Sequence, residues 1–326
     1  MMGRAVIGIV ALAFVCLPGV YAGSNANEAK SKALAQYIVA VINDLNGKPK
    51  EAADGFERSI ALDSSQYLPH LRLAAWYTRA GMLEQSVKHL KIVLNLAPQN
   101  SQAHYLLALV YSSQKKYDLA SKEYEHILNI GSKNDPNNLE IYIYLAQLYF
   151  SQEKYPQAIE QFNRILEIQP DNVSANYFLG SSYLETGKRA QARKLFQKVL
   201  SLDPGHDEAL NSLAYMYAEE SANLDEAIKM ARRAVGISPF NGAYYDTLGW
   251  GLFKKGMNAE ALMALQKATG YVQSPIVYDH MGDVYKAVKE FALARKFWRK
   301  SLDFDANQPQ VKAKIEESDN IQAFKE

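Results

Sequence analysis

The side chains able to do acid–base, nucleophilic or metal chemistry in this sequence do not converge on one centre. Its six histidines are His70, His89, His104, His126, His206 and His280, and none stands in HExxH or a comparable metal-binding spacing. His280 follows Asp279 directly; such a pair could act as a base, but two surface neighbours are the expected reading. Ser112 and Lys115 have the SxxK spacing of a serine nucleophile, without companion motifs and at the end of an apolar stretch, so they read as a polar turn. No GxSxG and no glycine-rich phosphate loop is present. Asn172-Val173-Ser174 is a formal glycosylation sequon of a length that arises by chance. No catalytic residue, metal ligand set or cofactor is expected.

Composition points the same way. The chain is 48% apolar, with 36 basic and 35 acidic residues. Residues 1–22 carry Arg4, an apolar run from Ala5 to Val15, the breaker Pro18-Gly19 and a small residue at Ala22. That is the layout of a secretory signal peptide, with cleavage expected after Ala22 and an exported, periplasmic product. The run is short for a membrane anchor, so membrane contact is expected only through partners or an uncleaved signal. Val15 before Cys16 is bulky for a lipidation site. Removing residues 1–22 takes away Arg4 and leaves basic and acidic residues equal in number, which argues against bulk attraction to nucleic acid. It also removes Cys16, the only cysteine, and with it disulfide and thiol chemistry.

The elements that must position any site are short amphipathic helices in pairs. From Val173 to Pro204 one helix carries Tyr177, Leu179, Gly180 and Tyr183; the next carries Ala192, Phe196 and Val199; Gly187 marks the turn and Pro204 the stop. With Val173 as position 1, small residues stand at 8 and 20, where two helices can approach closely, and aromatics at 11 and 24 fill the space around that contact. The same pattern recurs as Leu73, Ala74, Tyr77, Gly81 and Ser86, as Leu145, Ala146, Tyr149 and Ala158, and as Met281, Gly282, Tyr285 and Ala294.

This pattern resembles the tetratricopeptide repeat of about 34 residues. The C-terminal runs ALNSLAYMYAEESANLDEAI and AYYDTLGWGLFKKG are similar to exported bacterial proteins of that family. The resemblance implies an all-α, right-handed superhelical solenoid of about eight repeats over residues 33–306. A flexible leader is expected over 23–32, an insertion at 131–138, and a capping helix and tail over 307–326. In this family positions 2, 5, 9 and 12 of each first helix line the concave face. They would place Tyr105, Tyr177, Asn211, Tyr215, Asp246, Trp250, Phe253, Asp279 and Asp283 in a groove of aromatics beside carboxylates. The Lys and Asn that grip a C-terminal carboxylate in some members are absent, since positions 5 and 9 hold Tyr37 and Val41, Leu71 and Ala75, and Tyr105 and Leu109. The expected function is a non-enzymatic adaptor in the cell envelope, binding an extended or helical protein segment with basic character. The alternative is a carbohydrate- or cell-wall-binding module using the same rings.

Overall fold

In the computed structural model, residues 25–131 and 139–323 are described. They form seventeen α-helices and, among the described residues, no strand. The expected signal sequence, its cleavage point and the insertion beyond Gly131 lie outside the described residues.

The helices fall into two compact units. One holds α1 (Asn25–Leu45), α2 (Pro49–Leu62), α3 (Tyr67–Arg79), α4 (Leu83–Leu96), α5 (Ser101–Ser113) and α6 (Tyr117–Gly131). The second begins with α7 (Leu139–Ser151), α8 (Tyr155–Ile168), α9 (Val173–Glu185), α10 (Arg189–Leu202), α11 (Asp207–Glu219) and α12 (Leu224–Ile237). It continues through α13 (Gly242–Lys254), α14 (Asn258–Tyr271), α15 (Pro275–Ala287) and α16 (Phe291–Phe304) to a single last helix, α17 (Pro309–Ala323). Each odd-numbered helix up to α15 pairs with the even-numbered helix after it.

The chain's punctuation explains these boundaries. At four junctions between pairs a proline, Pro98, Pro170, Pro204 or Pro239, ends one helix, and two residues later a side chain caps the next. Asn100 Oδ1 accepts from the backbone N–H of Ala103, Asn172 Oδ1 from that of Ala175 and Asn241 Oδ1 from that of Ala243. Asn172, the formal sequon residue, is therefore a helix cap. Within each pair the turn passes through a left-handed residue at position 15. Gly47, Gly81, Gly187 and Gly256 hold it at φ between 72° and 83°, but Lys115, Glu153, Ser221 and Lys289 hold it at 50° to 65°. Lys115, the second member of the SxxK spacing, is such a turn residue.

Close packing at positions 8 and 20 defines the core. Ala40, Ala74, Ala108 and Ala146 at position 8 are fully buried, as are Ala120, Ala158 and Ala192 at position 20. Three repeats carry glycine at position 8 and have no room for a methyl there: a Cβ on Gly180 would lie 2.9 Å from the Phe196 ring, one on Gly249 2.7 Å from Leu265, and one on Gly282 2.3 Å from the Trp298 ring.

The leader expected over residues 23–32 is helical from Asn25, as the first turns of α1. Its Ala, Glu and Lys residues are good helix formers, and Lys32 pairs with Glu28 one turn earlier at 2.8 Å. At the other end α17 closes the stack by burying Val311 against Ala294 and Trp298. No helix among the described residues is long and apolar enough to cross a membrane.

Positions 4 and 23 meet across a pair, and two of these contacts involve histidine. His104 Nδ1 lies 2.6 Å from a Glu123 oxygen, and its Nε2 lies 3.0 Å from the Pro98 carbonyl. One repeat earlier His70 Nδ1 faces His89 Nδ1 at 2.9 Å, so one ring must donate and the other accept. Burial, then the neighbouring His70 and Lys88 charges, pushes His89 down to about 4; burial also lowers His70. The unfolded chain takes up protons below about pH 6.5 that the folded pair refuses. Stability from this pair is therefore fully present above that pH and is lost as pH falls toward 4. Melting of the α1–α6 unit is expected to drop on the order of 5 °C between pH 7 and pH 5. His89→Glu, which recreates the His104–Glu123 contact, should remove the drop when followed by circular dichroism.

Candidate partner-binding groove

The nine residues expected to line a groove separate into three groups. Tyr105, in the first unit, packs edge-on against Tyr124 at 6.3 Å between ring centroids. Tyr177 on α9 is half-buried, its ring 4.9 Å from that of His206, which sits at the start of α11. The remaining residues lie on α11, α13 and α15, which pack against one another in succession.

Among these, the carboxylates are already matched within the chain. Asp246 is 7% exposed and its Oδ1 lies 2.9 Å from His280 Nδ1. The expectation that His280 pairs with Asp279 on the surface is therefore corrected: His280 is buried, and its partner comes from the preceding repeat. Burial works against its charged form, but the Asp246 carboxylate, backed by Asp279 and Asp283, outweighs this and raises its pKa. Asp279 and Asp283 are bridged by Lys314 from α17, at 2.7 and 2.8 Å, and Asp283 also accepts from Trp298 Nε1 at 3.2 Å. Burial disfavours the Lys314 ammonium, yet the two carboxylates around it raise its pKa. One rule covers both contacts: position 5 of one repeat receives a basic side chain from position 6 of the next, His280 in one case and Lys314 in the other.

Trp250 is likewise committed to the fold. It is 7% exposed, stacks on the His280 ring at 3.9 Å, donates through Nε1 to Glu219 at 2.6 Å and lies under the Lys254 ammonium. As an open platform for a ligand ring, and for a sugar in particular, Trp250 is corrected. Phe253 is half-buried beside it, 5.3 Å away.

What remains for a partner is the face built on α11. Asn211 Oδ1 is shielded from solvent and has no hydrogen-bond donor among the described residues. Tyr215, one turn on, is half-buried; burial first, then the Glu219 and Asp246 charges, pushes its hydroxyl up to about 12. α11 itself carries Asp207, Glu208 and Glu219 and no basic residue. His206, Asp207 and Glu208 could together hold a metal ion by their spacing, but they serve the start of α11. His206 Nδ1 accepts from the Ala209 N–H at 3.3 Å, and Asp207 accepts from the Ser238 hydroxyl at 2.6 Å. Negative charge there also favours the helix N-terminus.

Paired helices with small residues at 8 and 20 and a left-handed residue at 15 define an all-α solenoid of helix hairpins. Models of the tetratricopeptide repeat match residues 99–171 and 177–242, and the chain is a tetratricopeptide-repeat protein. Among solved structures it is similar to YrrB, described as a tetratricopeptide-repeat protein with an unusual peptide-binding site. That similarity is 22% identity and a TM-score of 0.50, over 59% of this chain and 96% of that one. It is also similar to a chain of the Cut9–Hcn1 assembly of APC/C, at 17% identity and a TM-score of 0.58 over 82% of this chain and 52% of that one. A curated relative, an uncharacterized protein of Haemophilus influenzae, is 26% identical over 108 residues, 33% of this chain. The match spans 59% of that relative's length. Repeats of this kind make interaction scaffolds for other proteins.

Proposed function

We propose that this chain is a non-enzymatic adaptor, exported to the cell envelope, that holds an extended or helical segment of a partner protein against α9, α11 and α13. The observation that carries the reading is the face itself: the half-buried rings of Tyr177, Tyr215 and Phe253 stand beside α11, a helix with three acidic residues and no basic one. Tyr177, Tyr215 and Phe253 supply half-buried rings for that segment's apolar side chains. Its charge preference comes from α11: Asp207, Glu208 and Glu219 favour a basic segment, whereas Asp246, Asp279 and Asp283 already have basic partners within the chain. The peptide-binding site reported for YrrB supports a peptide as the ligand class. Export rests on the composition of residues 1–22.

Crosslinking pulldown from the native envelope tests both parts. Tyr177→Ala combined with Tyr215→Ala should weaken capture of the principal partner by about tenfold or more, and mass spectrometry should find a mature protein beginning at Gly23. Undiminished capture would overturn the groove, and a cytosolic protein retaining Met1 would overturn export.

A further inference from the structure

The second helices of the α7–α17 unit point to another docking surface, on the opposite member of each pair from the groove. Positions 22, 25 and 26 of these helices are outward positions. On α12 they are Lys229, Arg232 and Arg233, and on α16 Lys296, Arg299 and Lys300, all exposed. α10 adds Lys194 and Lys198, and α14 adds Lys267, with no acidic residue at these positions on any of the four helices. The same positions elsewhere are mixed, with Asp54 and Glu57 on α2 and Glu160 on α8. α4, with Lys88, Lys91 and Ile92, is the other row without an acid, so successive acid-free rows occur only from α10 to α16.

The basic rows are interrupted on α14, and an apolar cleft of about 160 Å³ lies there. Its walls are Tyr245, Leu248 and Leu252 from α13 with Met263 and Ala264 from α14; Arg232 and Lys267 stand on its rim. Met263 is 65% exposed, an unusual placement for a thioether side chain. Lys267 lies over the Tyr245 ring at 5.5 Å, and Tyr245 stacks on the exposed Tyr271, which meets the exposed Phe240. The one acidic residue of the rim, Glu260, is paired with Arg232 at 3.1 Å, and Lys229 and Arg299 pair with Glu226 and Asp319; Arg233, Lys267, Lys296 and Lys300 have no acidic partner among the described residues.

We infer that this cleft docks an acidic protein segment, a bulky apolar side chain entering between Tyr245 and Met263 while flanking carboxylates meet the cations of α12, α14 and α16. An apolar centre within a charged rim is the anatomy of a protein contact. A uniform polyanion has nothing to place in the cleft, and the cleft has room for a side chain rather than an acyl tail. The segment taken here is opposite in charge to the one proposed for the α11 face, so one adaptor can hold two partners.

The test uses the mature protein and three probes: a fluorescein-labelled amphipathic helix of leucine and glutamate, its lysine twin, and phosphatidylglycerol vesicles. Anisotropy should show the acidic peptide binding in a salt-sensitive way, weakened about tenfold by Met263→Glu and similarly by Lys267→Glu, while Tyr177→Ala with Tyr215→Ala leaves it unchanged. Both cleft positions are exposed, and unchanged circular dichroism separates lost binding from lost folding. Failure of the acidic peptide to bind, equal binding by the cleft variants, loss through the groove variant instead, or cleft-dependent binding of vesicles alone would each overturn the inference.

Discussion

Asp246→Ala is expected to destabilise the C-terminal repeats by about 3–5 kcal/mol, the range for removing one partner of a buried ion pair. The carboxylate is the atom group that holds His280 Nδ1, and His280 in turn stacks on Trp250, so its loss loosens α11, α13 and α15 together. Asp246→Asn separates charge from shape, because the amide oxygen still accepts from Nδ1 of a neutral ring. That variant should retain much of the stability and lose its pH dependence. The sign follows from the raised pKa of His280. Stability contributed by the charged ring is complete below about pH 6.5 and is lost as pH rises through the folded-state value. Thermal melts of wild type should therefore decline on that limb, and those of Asp246→Asn should not. Hydrogen exchange along α13 and α15 locates the effect, since repeat proteins open locally.

Gly282→Ala is the second large effect. The new methyl would lie 2.3 Å from Cδ1 and Nε1 of Trp298, a ring with no exposed surface whose Nε1 is tied to Asp283. Overpacking at such a site costs about 1–3 kcal/mol, and the tethered ring places this position at the upper end. Ala146 with Phe162 shows what the geometry tolerates, since both are buried in the fourth repeat. Adding Trp298→Phe to Gly282→Ala should thus recover part of the loss, a coupling of about 0.5–3 kcal/mol in a double-mutant cycle. Purely additive melts would show that the ring and the glycine are independent.

The helix pairs were legible because burial fixes residue size: Ala and Gly at 8 and 20 announce close approach without knowledge of any partner. Turns were half legible. Gly47, Gly81, Gly187 and Gly256 advertise a left-handed residue, whereas Lys115, Glu153, Ser221 and Lys289 adopt the same conformation under tertiary constraint and give no local signal. The candidate groove was legible as a face and misread as chemistry. Counting positions 5 and 9 finds Asp246, Trp250, Asp279 and Asp283, but their partners, His280, Glu219 and Lys314, stand 31 to 35 residues away. The missed signal was an acid at position 5 followed by a basic side chain at position 6 of the next repeat. Asn211 carries the opposite lesson, a polar group that the fold shields and leaves unmatched.

The most direct test of the adaptor reading is site-specific photocrosslinking in intact cells, with p-benzoylphenylalanine replacing Tyr215 and, as a control, the exposed Ala190. The groove account predicts a discrete adduct to an envelope protein from position 215, reduced by excess lysine-rich peptide, and none from position 190. Equal adducts from both positions, or none from 215 while the same partner is still captured by pulldown, would contradict it.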